Sequence, residues 1–109
     1  MSERYRRGEV FWAPDPFNEG ANPRPWLVIA NESLPYPDEE YFCLALTTSN
    51  LPENYHVGES WVSGGNTNTE SFCSPWVAAT VKHDEVDGPQ GRVTEEFADK
   101  MAEECGGYL

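Results

Sequence analysis

The run WLVIAN at 26–31 is apolar on both faces when extended and too short for a buried helix. Such a segment fits one place in a small protein, the middle of a sheet that is covered on both sides. The loop before it, PDPFNEGANPRP at 14–25, is too rich in proline and glycine to be helical, so the strand starts where the loop ends. With 109 residues there is room for one small core, so a single domain spanning 1–109 is expected.

The rest of the chain supplies partners for that strand. RGEVFWA at 7–13 reads as a first strand, with Val10 and Trp12 on one face and Glu9 and Phe11 on the other, ended by Pro14. YFCLALTT at 41–48 reads as another, after the turn-rich ESLPYPDEE at 32–40. HVGESWV at 56–62 suggests one or two short strands before the polar loop SGGNTNTE at 63–70. FCSPWVAATV at 72–81 is rich in β-branched and aromatic residues, with Pro75 confining its start to an edge or a bulge.

Only the end has helical spacing. Thr94 is a cap, Glu95 and Glu96 suit the positive end of the dipole, and Phe97, Met101 and Cys105 recur every four residues. Val93 before the cap is placed to staple onto Ala98, and Gly106 and Gly107 are expected to end the helix. The predicted fold is mainly β, a small and strongly curved barrel or half-barrel with a C-terminal α-helix.

Nineteen acidic residues against seven basic ones give a net charge of −12 and a pI near 4.3. That balance would ordinarily exclude a nucleic-acid partner, because phosphate binding draws on Lys and Arg releasing counterions. Four Trp, five Tyr and five Phe are too much aromatic area for a disordered acidic chain. Lysine occurs only at Lys82 and Lys100 while carboxylates cover the predicted loops and helix, the pattern of a halophilic protein, with an ordinary acidic mesophile protein as the other reading. In molar salt the Debye length is ~3 Å and self-repulsion is screened, so the acidity describes the solvent and not the partner. No window is apolar enough to span a membrane, and MSERYRRGE lacks the apolar core of a signal peptide, so a cytoplasmic protein is expected. Cys43, Cys73 and Cys105 form an odd set without CxxC spacing, which suits buried thiols better than disulfides or a zinc site.

Little standard catalytic chemistry survives inspection. His56 and His83 lack ligand spacing, and HDE at 83–85 reads as a solvated turn between the last strand and the helix, so neither a metal nor a cofactor is expected. GxSxG, the P-loop and GxGxxG do not occur. What remains is Glu19, Arg24 locked between Pro23 and Pro25, and the hydroxyls of Thr47, Thr48 and Ser49 at a strand end. A phosphorane-like transition state needs a fixed cation, hydroxyl donors for its non-bridging oxygens and a carboxylate that takes or orients a proton. Arginine meets phosphate with two parallel donors, which lysine does not. Taken singly, Arg24 also fits a surface ion pair and the three hydroxyls a strand end turning into a loop.

Gly8-Glu9-Val10, Glu19, Gly20, Arg24-Pro25 and Thr47-Thr48, in that order, resemble the MazF, PemK and Kid family of toxin endoribonucleases. The resemblance extends more loosely through VAATV to the C-terminal helix. It implies an SH3-like barrel working as a homodimer that cleaves single-stranded RNA without a metal. It also implies neutralisation by a cognate antitoxin, with which such toxins bind DNA. Arg24, Thr47 and Glu19 would be catalytic: Arg24 as acid or base and charge stabiliser, Thr47 as phosphate donor, and Glu19 serving the attacking hydroxyl or orienting Arg24. Thr48, Ser49, Phe17 and Asn22 would contact the RNA. The chain departs from the family at 71–75, where SFCSP replaces an Asp-Gln pair that is in some members preceded by Arg. A surface this acidic would have to hold RNA by base stacking, on Phe17, Trp12 or Trp61, with Trp26 in the core. The other reading of the residues is a silent barrel that binds RNA or a protein partner and cuts nothing.

Overall fold

The computed structural model describes residues 4–18, 20, 22–37, 39–65 and 69–109. Seven strands and one helix follow in order: β1 (Glu9–Ala13), β2 (Arg24–Ala30), β3 (Glu40–Thr47), β4 (Tyr55–His56), β5 (Trp61–Gly64), β6 (Phe72–Lys82), β7 (Gly88–Val93) and α1 (Glu95–Gly107). Short 3-10 turns at Gly58–Ser60 and His83–Glu85 precede β5 and β7. The strands form one sheet in the order β4-β6-β3-β2-β1-β7-β5, with every pairing antiparallel.

That order dictates the curvature. β4 and β5 are the two outer strands, yet only residues 57–60 separate them in sequence. Laid flat at ~4.8 Å per strand, the outer strands would stand ~29 Å apart. The five peptide steps from His56 to Trp61 reach at most ~18 Å. The sheet therefore curls into a half-barrel with its ends drawn together, as the many short strands suggested.

β2 lies fourth of the seven and is buried on both faces. Leu27 and Ile29 join Val10, Leu44, Leu46 and Cys73 on the face that α1 covers with Phe97, Ala98, Met101 and Cys105. Trp26 and Val28 join Phe11, Tyr41, Cys43 and Ala45 on the other face. Tyr5 packs against that second cluster, its ring 5.0 Å from Phe11 and 5.7 Å from Tyr41. In β6 the register jumps from Ala78 opposite Leu44 to Ser74 opposite Ala45, so 75–77 bulge out, and Pro75, which has no N–H, sits in the excess.

Several expectations need correction. GPQGRV, which lies between the last expected strand and the helix, is itself a strand, β7, hydrogen-bonded between β1 and β5. HDE accordingly connects β6 to β7 and does not lead into the helix. His83 is also only partly solvated, since its Nδ1 lies 2.6 Å from the Tyr41 hydroxyl. Burial lowers its pKa, and the Arg4 charge adds to the effect. The helix starts as expected, with the Phe97 N–H donating to Thr94 Oγ1 at 3.2 Å. It runs on through Gly106 and Gly107, however, and Tyr108 is its C-cap.

Cys43, Cys73 and Cys105 are buried free thiols. Burial raises the pKa of each, pushing Cys73 up to about 12. At pH 8 an alkylating reagent should leave all three intact in the folded protein and label all three in denaturant, as read by mass spectrometry. Met101 is fully buried between helix and sheet. Met101→Ala should lower unfolding free energy by about 2–5 kcal/mol in urea titrations, leaving the fold's circular dichroism unchanged.

Candidate functional site

Strand register assembles the site. β1 places Ala13 opposite Arg24, and β2 places Trp26 opposite Ala45. Continuing the second register by two residues sets Arg24 beside Thr47, which in turn pairs with Phe72, itself opposite His56. Directly opposed residues share a face. Arg24 and Thr47, distant in sequence, are thus cross-strand neighbours on the face opposite α1.

Arg24 is held at two points. Its Nη1 donates to Asp15 Oδ2 at 3.1 Å and its Nη2 to the Leu46 carbonyl at 3.0 Å. The guanidinium lies 5.6 Å from the Trp26 ring centroid. Of its five N–H donors, the one on the buried Nε has no partner among the described residues. Asp15 is fixed in its turn: Oδ1 accepts the Phe17 N–H at 2.9 Å, an Asx turn at the head of the loop. The pair is largely shielded, with side-chain exposures of 27% for Arg24 and 11% for Asp15.

Both residues line a cavity of about 310 Å³. Thr47, Thr48, Thr69, Ser71, Trp12 and Gln90 line it too. Among the described residues, Arg24 and Asp15 are the only charged ones that line it. In a chain of net charge −12, this cavity therefore carries a cation, with the Asp15 carboxylate beside it. Thr47 Oγ1 accepts the Ser49 N–H at 3.2 Å, leaving the hydroxyl hydrogen to donate elsewhere. The loop beyond is tied down by Asn54, which donates to the Ser49 carbonyl at 2.9 Å and accepts from Ser74 Oγ at 2.7 Å.

Of the residues expected at the site, the structure brings together Arg24, Thr47 and Thr48. Ser49 is exposed beside the cavity and braces Thr47 through its backbone. Phe17, 64% exposed, and the exposed Asn22 do not line the cavity. Glu19 lies outside the described residues. Trp12 is the one suggested stacking residue in the cavity, whereas Trp61 is partly buried and packs against the core. Asp15 escaped the sequence reading, although an Asp two residues past a strand, before a proline, is a turn signal, and the hairpin register returns Arg24 to it. Ser71 and Gln90 carried no comparable signal. Among the described residues, no group of three or more His, Cys, Asp or Glu is placed to hold a metal ion.

The fold is shared with solved structures. An endoribonuclease in complex with its cognate antitoxin, from a mycobacterial species, superposes with a TM-score of 0.63 at 20% identity, covering 94% of this chain and 95% of that one. An endoribonuclease from a mycobacterial species superposes with a TM-score of 0.65 at 19% identity, covering 96% and 90%. No family model and no curated protein matches the sequence. At these identities the likeness establishes the half-barrel fold with its C-terminal helix.

Arg24→Ala should cost about 1–3 kcal/mol of stability, because it leaves the shielded Asp15 carboxylate unpaired. In a urea-denaturation cycle, the Asp15→Ala, Arg24→Ala double variant should be less destabilised than the sum of the singles.

Proposed function

We propose that this protein is a metal-independent endoribonuclease toxin acting on single-stranded RNA. The observation that carries the reading is the anchored Arg24 beside Thr47 in one cavity, on a fold shared with endoribonucleases. Neither group needs a metal to engage a phosphate: the guanidinium supplies charge and directional donors, and the threonine hydroxyl supplies another.

In this mechanism the ribose 2′-hydroxyl attacks the adjacent phosphorus, and the bond to the 5′-oxygen breaks. The products are a 2′,3′-cyclic phosphate and a 5′-hydroxyl end. Arg24 neutralises the charge that builds on the non-bridging oxygens, and Thr47 donates to one of them. Asp15 holds the guanidinium in place, the orienting role that the family resemblance would have given to Glu19. Glu19 keeps the other proposed role, serving the attacking hydroxyl. Glu19 takes the proton from the 2′-oxygen, and the departing 5′-oxygen takes one from solvent water, so the step balances.

By the same reading the toxin is a cytoplasmic homodimer neutralised by a cognate antitoxin; one of the structures sharing its fold was solved with its own. Most described carboxylates are exposed, which suits a protein working in molar salt. A second reading, a barrel that binds RNA without cutting it, draws on SFCSP at 71–75, which stands where the family carries an Asp-Gln pair, and on the lack of a second charged pair among the described residues that line the cavity.

The test is incubation of the protein with a long unstructured RNA in ~1–3 M KCl, with and without EDTA. Defined cuts ending in cyclic phosphate are expected in both. Arg24→Ala and Thr47→Val should each slow cleavage by about 10²-fold or more. Intact RNA with a folded protein would favour the binding-only barrel, and full cutting by Arg24→Ala would refute the mechanism.

A further inference from the structure

Gln90 is the unused polar group of the cavity. It sits at an irregularity in the β1–β7 pairing, where Val10 faces Gly91 and Phe11 faces Pro89, so Gln90 has no opposite number on β1. A bulge of this kind re-aims a side chain out of the regular alternation, and here Gln90 lines the cavity. Its backbone is held closely. The Gly65 N–H donates to the Gln90 carbonyl at 3.2 Å, and a Cβ on Gly64 would come within 2.1 Å of that same oxygen. Gly64 and Gly65 both have left-handed φ angles, +68° and +79°, which let the end of β5 turn over β7 at this point.

The side chain so placed is unsatisfied. Gln90 Oε1 is buried and has no hydrogen-bond partner among the described residues. An orphaned buried acceptor is costly unless a ligand supplies a donor. Trp12, 39% exposed, lines the same cavity and offers an indole surface. Stacking surface, recessed acceptor and phosphate-gripping Arg24 occupy one cavity whose volume, about 310 Å³, is at the small end for a ligand cleft.

We propose that the Trp12 and Gln90 side of the cavity is a base-specificity subsite that accepts a nucleobase carrying an exocyclic amino group and rejects uracil. The inference rests on the ribonuclease reading for its substrate. An amino group projects beyond the ring and reaches the recessed oxygen as a donor. Uracil has no amino group, and its one imino N–H sits in the ring edge between two carbonyl oxygens, which keep it from a recessed acceptor that a projecting donor reaches. Trp12 stacks on any base and so supplies affinity without discrimination, while Gln90 supplies the discrimination.

The test is calorimetric titration of the full chain with the four nucleoside 3′-monophosphates, alongside sequencing of cut ends from a randomised single-stranded RNA. The adenine, cytosine and guanine nucleotides should bind roughly 5- to 150-fold more tightly than the uracil one, the range one directional base contact provides. Gln90→Leu should bring uracil level with the others and relax the cut pattern at one position, with no loss of thermal stability. Trp12→Ala should weaken all four alike. Equal affinities in the wild type, no binding of any nucleotide at millimolar concentration, or discrimination that persists in Gln90→Leu would overturn the subsite. Uncut RNA with nucleotide discrimination intact would instead overturn the ribonuclease reading and leave the subsite standing.

Discussion

Everything in this molecule follows from the short connection between the two outer strands of its sheet. β4 and β5 terminate opposite ends of a seven-stranded sheet, and only residues 57–60 join them. A flat sheet is therefore impossible, and curling gives the central strand β2 two covered faces. The helix seals one of them with Phe97, Ala98, Met101 and Cys105. The opposite face is filled with aromatic rings, among them Tyr5, Phe11 and Tyr41. The same curvature requires local irregularity, and bulges at 75–77 in β6 and at Gln90 in β7 lie in this sheet.

Within that frame the candidate site is a problem in electrostatics. A protein of net charge −12 repels a polyanion over long distances at low salt, so a phosphate must be gripped locally or not at all. On the ribonuclease reading proposed above, Arg24 would meet this condition because it is rigid. The Asp15 carboxylate, the Leu46 carbonyl and the Trp26 ring each fix the guanidinium. Little side-chain entropy is then left to lose on binding. Asp15 also lowers the net charge of the site, and that favours a role in positioning Arg24 over simple accumulation of positive charge.

How much of this was legible in the sequence depended on the range of the interaction. Strands β1, β2, β3 and β6 were visible because each has a local apolar pattern, and the helix because Thr94, Glu95 and the four-residue spacing are neighbours in sequence. β7 was hidden: Gly88, Pro89 and Gly91 are loop formers, and only pairing with β1 on one side and β5 on the other makes them a strand. Arg24 and Thr47 were each recognisable by type and setting, whereas Asp15 and Gln90 became site residues only through register and bulge.

By itself, then, the sequence determined a mainly β domain around a doubly buried strand, a capped C-terminal helix, an acidic surface and a proline-locked arginine. These are properties of short windows, governed by side-chain alternation, capping and backbone restriction. Tertiary structure alone decided which carboxylate holds that arginine, that Trp12 and not Phe17 lines the cavity, and that Gln90 turns an unpartnered oxygen into hiding. The physical reason is that hydrogen bonding and burial depend on strand register across the sheet, and register is set by closure of the whole sheet rather than by any segment within it.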